Sequence, residues 1–342
     1  MNKSKDNIQT NFSVIWERPG LVRPAPPPRY AEYRTAWAEN PRKGIVTDFP
    51  INVDLEITNA CNLSCPHCAS ARKNWGDEKT GFIEESLVKK VLDEVKAGAG
   101  MSMKFSLRGE PLLHPKAALF LECAKEAGLA DYYFNTNGVP LTRDIAVELV
   151  KHRLPRISIS VGGWDEASFA RSQAGADLGA LKRNISILRD VRQSYGSAAP
   201  IIRIQATFIK DLRTRLKEFK ELWMPLADEI GLVDFREESS PAARPASATA
   251  GFRCNFLWQR LVVLWDGSVY PCLFHGVKYP EPLRLGNVRT ATLGGMWKSP
   301  RMEALRRLHL AGTSHENACC AGCSYRRAEI DKLVSREQGR DD

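Results

Sequence analysis

The chain has 342 residues, 43% hydrophobic and 26% charged, enough to bury one large core and a smaller module beside it. No apolar run approaches the roughly 20 residues that cross a bilayer, and the N-terminal stretch MNKSKDNIQTNFSVIWERPG lacks the apolar segment of a secretory signal. With nine cysteines gathered mostly in tight groups, the expectation is a cytoplasmic protein whose thiols are metal ligands rather than disulfides. The net charge of +9 is spread along the chain, with a mild concentration at Arg301, Arg306, Arg307, Arg326 and Arg327. No nucleic-acid-binding motif accompanies it, so it reads as a solvated basic surface.

Residues 1–50 form an N-terminal extension containing RPAPPPRY, which is expected to be extended rather than helical. Strand-like apolar runs then alternate with amphipathic helical patterns. Strands are predicted at 51–57, 102–107, 131–136, 156–161, 201–209 and 229–235. Helices are predicted at 84–98, 115–127, 142–152, 177–195 and 213–226. This alternation over residues 51–238 implies parallel pairing with right-handed crossovers, in an α/β fold that is either an open doubly wound sheet or an incomplete barrel. The stretch SSPAARPASATAG (239–251) reads as a linker. Beyond it, LVVLWDGSVYPCLF (261–274) is a predicted hairpin turning at Asp266–Gly267, and 294–312 a helix with Gly312 at its end. Residues 252–325 therefore make a small cysteine-bearing α+β module, and 326–342 a C-terminal tail.

The stretch EITNACNLSCPHCAS places Cys61, Cys65 and Cys68 directly after the first predicted strand, at the sheet end where α/β active sites gather. A structural zinc ion takes four protein ligands. Three thiols without a nearby fourth suit a cubane iron–sulfur cluster with one iron open to a non-protein ligand. A CxxxCxxC triplet in this position resembles that of the radical S-adenosylmethionine (SAM) enzymes. The resemblance implies a partial (β/α)6 barrel and a 4Fe–4S cluster held by Cys61, Cys65 and Cys68. In that family the amino and carboxylate groups of SAM chelate the open iron. One electron then breaks the sulfonium bond, and a 5′-deoxyadenosyl radical removes a hydrogen atom from substrate.

The resemblance extends to further residues. His67, before the third cysteine, would pack near the adenine. The segment RGEPLLHP (108–115) resembles the family's Gly-Gly-Glu-Pro segment, with Arg108 in place of the first glycine. There Gly109 would let the backbone approach, and Glu110 would accept the SAM amino group. FNTNG (134–138) and SISVGG (158–163) look like the segments that contact the ribose and the methionine carboxylate, which implies such roles for Asn137 and Ser160. The arginine that many relatives aim at that carboxylate has two counterparts in RSQAGADL, Arg171 and Gln173, and either could serve.

A second group comprises Cys254, Cys272, Cys320 and Cys323, with Cys319 adjacent. From spacing alone, a four-cysteine zinc ribbon and an iron–sulfur cluster are equally good readings. The pattern is similar to the auxiliary-cluster domain of radical SAM enzymes, in its short twitch/SPASM-type form. That implies one auxiliary 4Fe–4S cluster on Cys254, Cys272, Cys320 and Cys323. Cys319 either replaces Cys320 as a ligand or stands free as a hydrogen-atom donor. Cys123, alone on the second predicted helix, reads as a small buried hydrophobe.

Relatives with this layout act on small molecules or on peptides. The extension is too short for the separate peptide-recognition domain that many peptide-modifying relatives carry. The expected reaction is therefore hydrogen abstraction from a carbinol carbon of a sugar- or aminocyclitol-like molecule, with epimerisation or dehydrogenation in natural-product (antibiotic) or glycan biosynthesis. A peptide maturase or epimerase is the alternative, and a zinc-stabilised binding module the non-enzymatic one. A flavodoxin- or ferredoxin-type reductant is the expected protein partner; nucleic acid and membrane are not.

Overall fold

A computed structural model describes residues 12–66, 68, 78–208, 210–234, 252–273 and 280–337. His67 and the linker predicted at 239–251 lie outside the described residues. Strand β1 (Phe12–Glu17) and helix α1 (Tyr30–Lys43) precede the first predicted strand. All six predicted strands are present, as β2 (Asn52–Leu55), β3 (Ser102–Lys104), β4 (Asp131–Thr136), β5 (Arg156–Ser160), β6 (Ile201–Phe208) and β7 (Glu229–Asp234). Each runs parallel to the next in chain order.

The crossovers are α2 (Glu85–Ala97), α3 (Ala117–Glu126), α4 (Arg143–Lys151), α5 (Glu166–Ser172) and α6 (Leu178–Ser194), then α7 (Lys210–Arg213) and α8 (Leu216–Trp223). Helix α5 was not expected; a capping box between Asp165 and Ser168 starts it. The helix predicted at 213–226 is the shorter α8; the turn α7 before it was not predicted, and Thr214 and Arg215, bonding three residues back to Asp211 and Leu212, separate the two.

The C-terminal part holds α9 (Phe256–Gln259), the hairpin β8 (Arg260–Val263) and β9 (Ser268–Tyr270), β10 (Gly286–Asn287) and α10 (Leu293–Trp297). It ends with α11 (Pro300–Leu310), α12 (Ala318–Ala321) and α13 (Ser324–Glu337), the last running on into the predicted tail. The single helix predicted at 294–312 divides because Ser299 caps and Pro300 opens a new one. Gly312, with φ of +75°, follows its end as expected.

Among the described residues, one sheet runs β1-β7-β6-β5-β4-β3-β2-β8-β9-β10. Two of its pairings join parts that read as separate in sequence. β8 lies parallel to β2, so the cysteine-bearing module extends the barrel sheet. β1 pairs antiparallel with β7, so the N-terminal extension closes the other edge.

Alternation along β2 explains how the sheet is filled. Val53 and Leu55 go into the apolar core, while Asp54 pairs with Lys104 of β3 at 3.1 Å and with Arg260 of β8 at 2.8 Å. Arg156 lies 4.0 Å over the Tyr133 ring, and Arg203 is bonded to Glu229. These groups form a charged layer toward the N-terminal ends of the strands, and α1 lies against it. Its Tyr33 and Trp37 are buried, with Arg260 4.7 Å above the Trp37 ring. Among the described residues no helix is long and apolar enough to cross a membrane.

Candidate cluster and cofactor site

The triplet loop leaves the C-terminal end of β2, and its neck is tightly tied. Thr58 Oγ1 donates to Gly81 O at 2.7 Å, and Asn59 brackets the same strand of the neck. Its Nδ2 donates to Lys79 O at 3.0 Å, and its Oδ1 accepts from Gly81 N–H at 2.8 Å. Leu63 is buried, and Ser64 N–H reaches Ala174 O at 3.2 Å. Between these anchors Cys61 is exposed, and Cys65 and Cys68 are half-buried. The thiols are close enough to raise one another: burial first, then the Cys68 and Cys61 thiolates, push Cys65 up to about 11.

The next segment meets this neck from β3. A side chain at Gly109 would collide with Thr58 O and Ala60 O, at 2.4 and 2.5 Å, so only glycine fits. The close approach expected of Gly109 is thus made to the chain's own backbone, and Glu110 N–H seals it by donating to Ala60 O at 2.7 Å. The Glu110 carboxylate is 2% exposed and accepts three hydrogen bonds, from Thr136 Oγ1 (2.6 Å), Leu112 N–H (3.0 Å) and Asn137 N–H (2.6 Å). Burial outweighs these bonds and raises its pKa to about 7. Asn137 Nδ2 in turn donates to Asn62 Oδ1 at 2.9 Å and lies 3.9 Å from Cys61 Sγ. Glu110, Asn137 and the first cysteine are therefore one connected unit.

Arg108, which stands where the family pattern has glycine, makes a double fork. Its guanidinium donates to both oxygens of Glu56 (2.7 and 2.7 Å) and both of Glu78 (2.8 and 2.6 Å). Glu56 is fully buried just past the end of β2 and Glu78 lies beyond the cysteines, so this clamp binds three segments of the loop base together. Sequence reasoning missed it; the one signal was acidic side chains, Asp54 and Glu56, within the apolar run DLEI. Ser160 is exposed at the end of β5. Gln173 is buried and tied to that strand end, its Nε2 donating to Ser160 O (3.0 Å) and its Oε1 accepting from Gly162 N–H (3.3 Å). Arg171, two residues earlier on α5, is exposed.

The second cysteine group also comes together. Cys254, Cys272, Cys319, Cys320 and Cys323 line one largely apolar pocket, walled in part by Phe256 and Tyr325, whose rings stack at 4.6 Å. None of the nine cysteines is in a disulfide. Asn317 Oδ1 caps α12 by accepting from both Cys319 and Cys320 N–H at 3.1 Å. Burial, reinforced by neighbouring thiolates, raises Cys254 and Cys272 strongly and takes Cys320 up to about 12. Cys254 feels the charges of Cys323 and Cys320, and Cys272 those of all four other thiols of the group. Buried thiols that repel one another in an apolar pocket, with no oxygen donor among them, fit an iron–sulfur centre. Cys123 packs on the core as a small hydrophobe but is half-buried rather than buried as expected, lying at the edge of the apolar cluster.

Comparison with known proteins agrees with this chemistry. Residues 55–199 match the model of the radical SAM superfamily, and residues 254–324 that of SPASM, an iron–sulfur cluster-binding domain. The chain is 30% identical over 321 residues to the mycofactocin maturase MftC of Mycobacterium tuberculosis, covering 81% of this chain and 78% of that one. It is 25% identical over 317 residues to the tungsten-containing aldehyde ferredoxin oxidoreductase cofactor-modifying protein of Pyrococcus furiosus, covering 80% and 87%. In fold it is similar to BtrN in complex with AdoMet and 2-DOIA, with a TM-score of 0.52, 17% identity, and coverage of 81% and 94%. The chain therefore belongs to the radical SAM superfamily, with a C-terminal SPASM-type domain, and its cofactors are SAM, a SAM-binding 4Fe–4S cluster and an auxiliary one.

Proposed function

We propose that this enzyme abstracts a hydrogen atom from a carbinol carbon of a small sugar- or aminocyclitol-like substrate and completes the reaction by dehydrogenation or epimerisation. The observation that carries the reading is the second pocket, where four thiols, Cys254 buried and Cys272, Cys320 and Cys323 half-buried, suffice to close an auxiliary cluster and a fifth, Cys319, stands beside them. A cluster closed by protein ligands is suited to take an electron from a substrate radical rather than to bind substrate. The N-terminal residues 12–43 support a small substrate, because β1 and α1 are built into the barrel. Peptide maturation is the second reading, favoured by the similarity to the mycofactocin maturase. Stimulation of 5′-deoxyadenosine formation by sugars or aminocyclitols, with a product lighter by two hydrogens or inverted at one carbon, is the expected result; stimulation by peptides alone would overturn it.

Cys61, Cys65 and Cys68 would hold the cluster, which would supply the electron for reductive cleavage of SAM. Glu110 takes the SAM amino group as a carboxylate, already oriented by Thr136, Leu112 and Asn137. Asn137 and Ser160 offer polar contacts at adjacent strand ends, and His67 lies beside the third cysteine in sequence. Gln173 holds the Ser160 end in place, which leaves the exposed Arg171 as the group for the SAM carboxylate. The basic surface suits a flavodoxin- or ferredoxin-type reductant.

Because the Glu110 pKa is raised to about 7, the ionised form that attracts an ammonium is the minority below that pH. SAM affinity should fall about tenfold per pH unit beneath it. Glu110→Gln should weaken SAM binding roughly 10- to 150-fold at pH 8 and remove that slope, with iron content unchanged. Equilibrium binding of SAM across pH checks both, and unaltered affinity would remove Glu110 from the site.

Cys319→Ala should keep the full iron content, since burial raises the Cys320 thiol further than that of Cys319. If the reaction is an epimerisation, wild type in deuterium oxide should place one solvent deuterium at the reacting carbon and this variant none. If it is a dehydrogenation, the variant should turn over normally. Loss of iron would instead make Cys319 a ligand.

A further inference from the structure

Beside the auxiliary thiols sits one cation that the reaction outlined above leaves unused. Arg326, in the first turn of α13, lines the pocket with all five cysteines. Its Nε donates to Ser314 Oγ at 2.9 Å, which fixes the guanidinium. Its Nη2 is buried and has no hydrogen-bond partner, an uncommon and costly state for a guanidinium nitrogen. Among the described residues it pairs with no carboxylate, and its resolved electrostatic neighbours are Cys320, Cys323 and His309. His309 is buried, its Nδ1 accepting from Cys254 N–H at 3.3 Å. Arg326 is thus the positive charge of this pocket, with a free donor.

We propose that Arg326 tunes the auxiliary cluster, its charge and its unpartnered Nη2 stabilising the reduced form and raising the reduction potential. Four thiolates make a 4Fe–4S centre anionic, and reduction adds a further negative charge. A fixed cation in a low-dielectric pocket therefore favours the reduced state over the oxidised one. N–H donors to cluster sulfurs act in the same direction. The functional consequence is that the cluster becomes a better acceptor for the electron a substrate radical gives up as it loses its proton to solvent or a base. This rests on the assignment of Cys254, Cys272, Cys320 and Cys323 as ligands.

The test is an EPR-monitored redox titration of the full-length holoenzyme with SAM, in which the auxiliary signal is the one SAM leaves unchanged. Arg326→Gln should lower its midpoint by about 59 mV or more, a tenfold shift for a one-electron couple, with iron content intact. Arg326→Lys, which keeps the charge, should restore most of the difference. An unmoved midpoint in Arg326→Gln, an equal fall in both variants, or loss of auxiliary iron from both would overturn the proposal while leaving the ligand assignment standing. A wild type with no SAM-insensitive cluster signal would overturn the ligand assignment as well.

Discussion

Replacing Cys61, Cys65 and Cys68 together by alanine should remove about half of the iron and abolish SAM cleavage, with the auxiliary cluster retained. The two thiol groups are separate in the structure. One lies on the loop beyond β2, whose neck is held by Thr58 and Asn59. The other lines the pocket between α12 and the β8–β9 hairpin. Neither Leu63, which anchors the loop, nor the neck bonds involve a thiol, so the barrel should survive the change. Iron analysis and 5′-deoxyadenosine formation under dithionite read the result. A triple variant that still cleaves SAM would show that another site does the chemistry.

Arg108→Gly, which restores the residue of the family pattern, should be strongly destabilising, by about 3–5 kcal/mol, because it leaves a buried carboxylate without its partner. The Arg108 side chain is 7% exposed, Glu56 0% and Glu78 24%. Burial already pushes the Glu56 carboxyl up even with Arg108 beside it, so without that cation it must take a proton or remain as a bare buried charge. Arg108→Met combined with Glu56→Leu should recover much of the loss, since apolar replacement of a whole buried pair is often neutral. Denaturant midpoints of the two variants against wild type measure this, and a loss under about 1 kcal/mol for Arg108→Gly would show that the clamp is dispensable. The departure from the family pattern is thus a coupled change in which an arginine needs two acids 52 and 30 residues away.

The parallel core and the cofactor chemistry were legible in the sequence because their signals are local. Strand and helix periodicities repeat within a few residues, and the three thiols of EITNACNLSCPHCAS are fixed in one loop by their spacing. The glycine at 109 was recognisable for the same reason, though the backbone it approaches was not. Only the tertiary structure decided which distant groups complete the site. Arg260 meets Asp54 across 206 residues, which brings the auxiliary module onto the barrel sheet, and β1 meets β7 to make the N-terminal extension part of that sheet. Glu110 acquires its raised pKa, Gln173 its hold on Ser160, and Arg326 its place among the thiols from folding. Burial and charge pairing depend on what the other elements bring to a point in space, and no short window of residues carries that information.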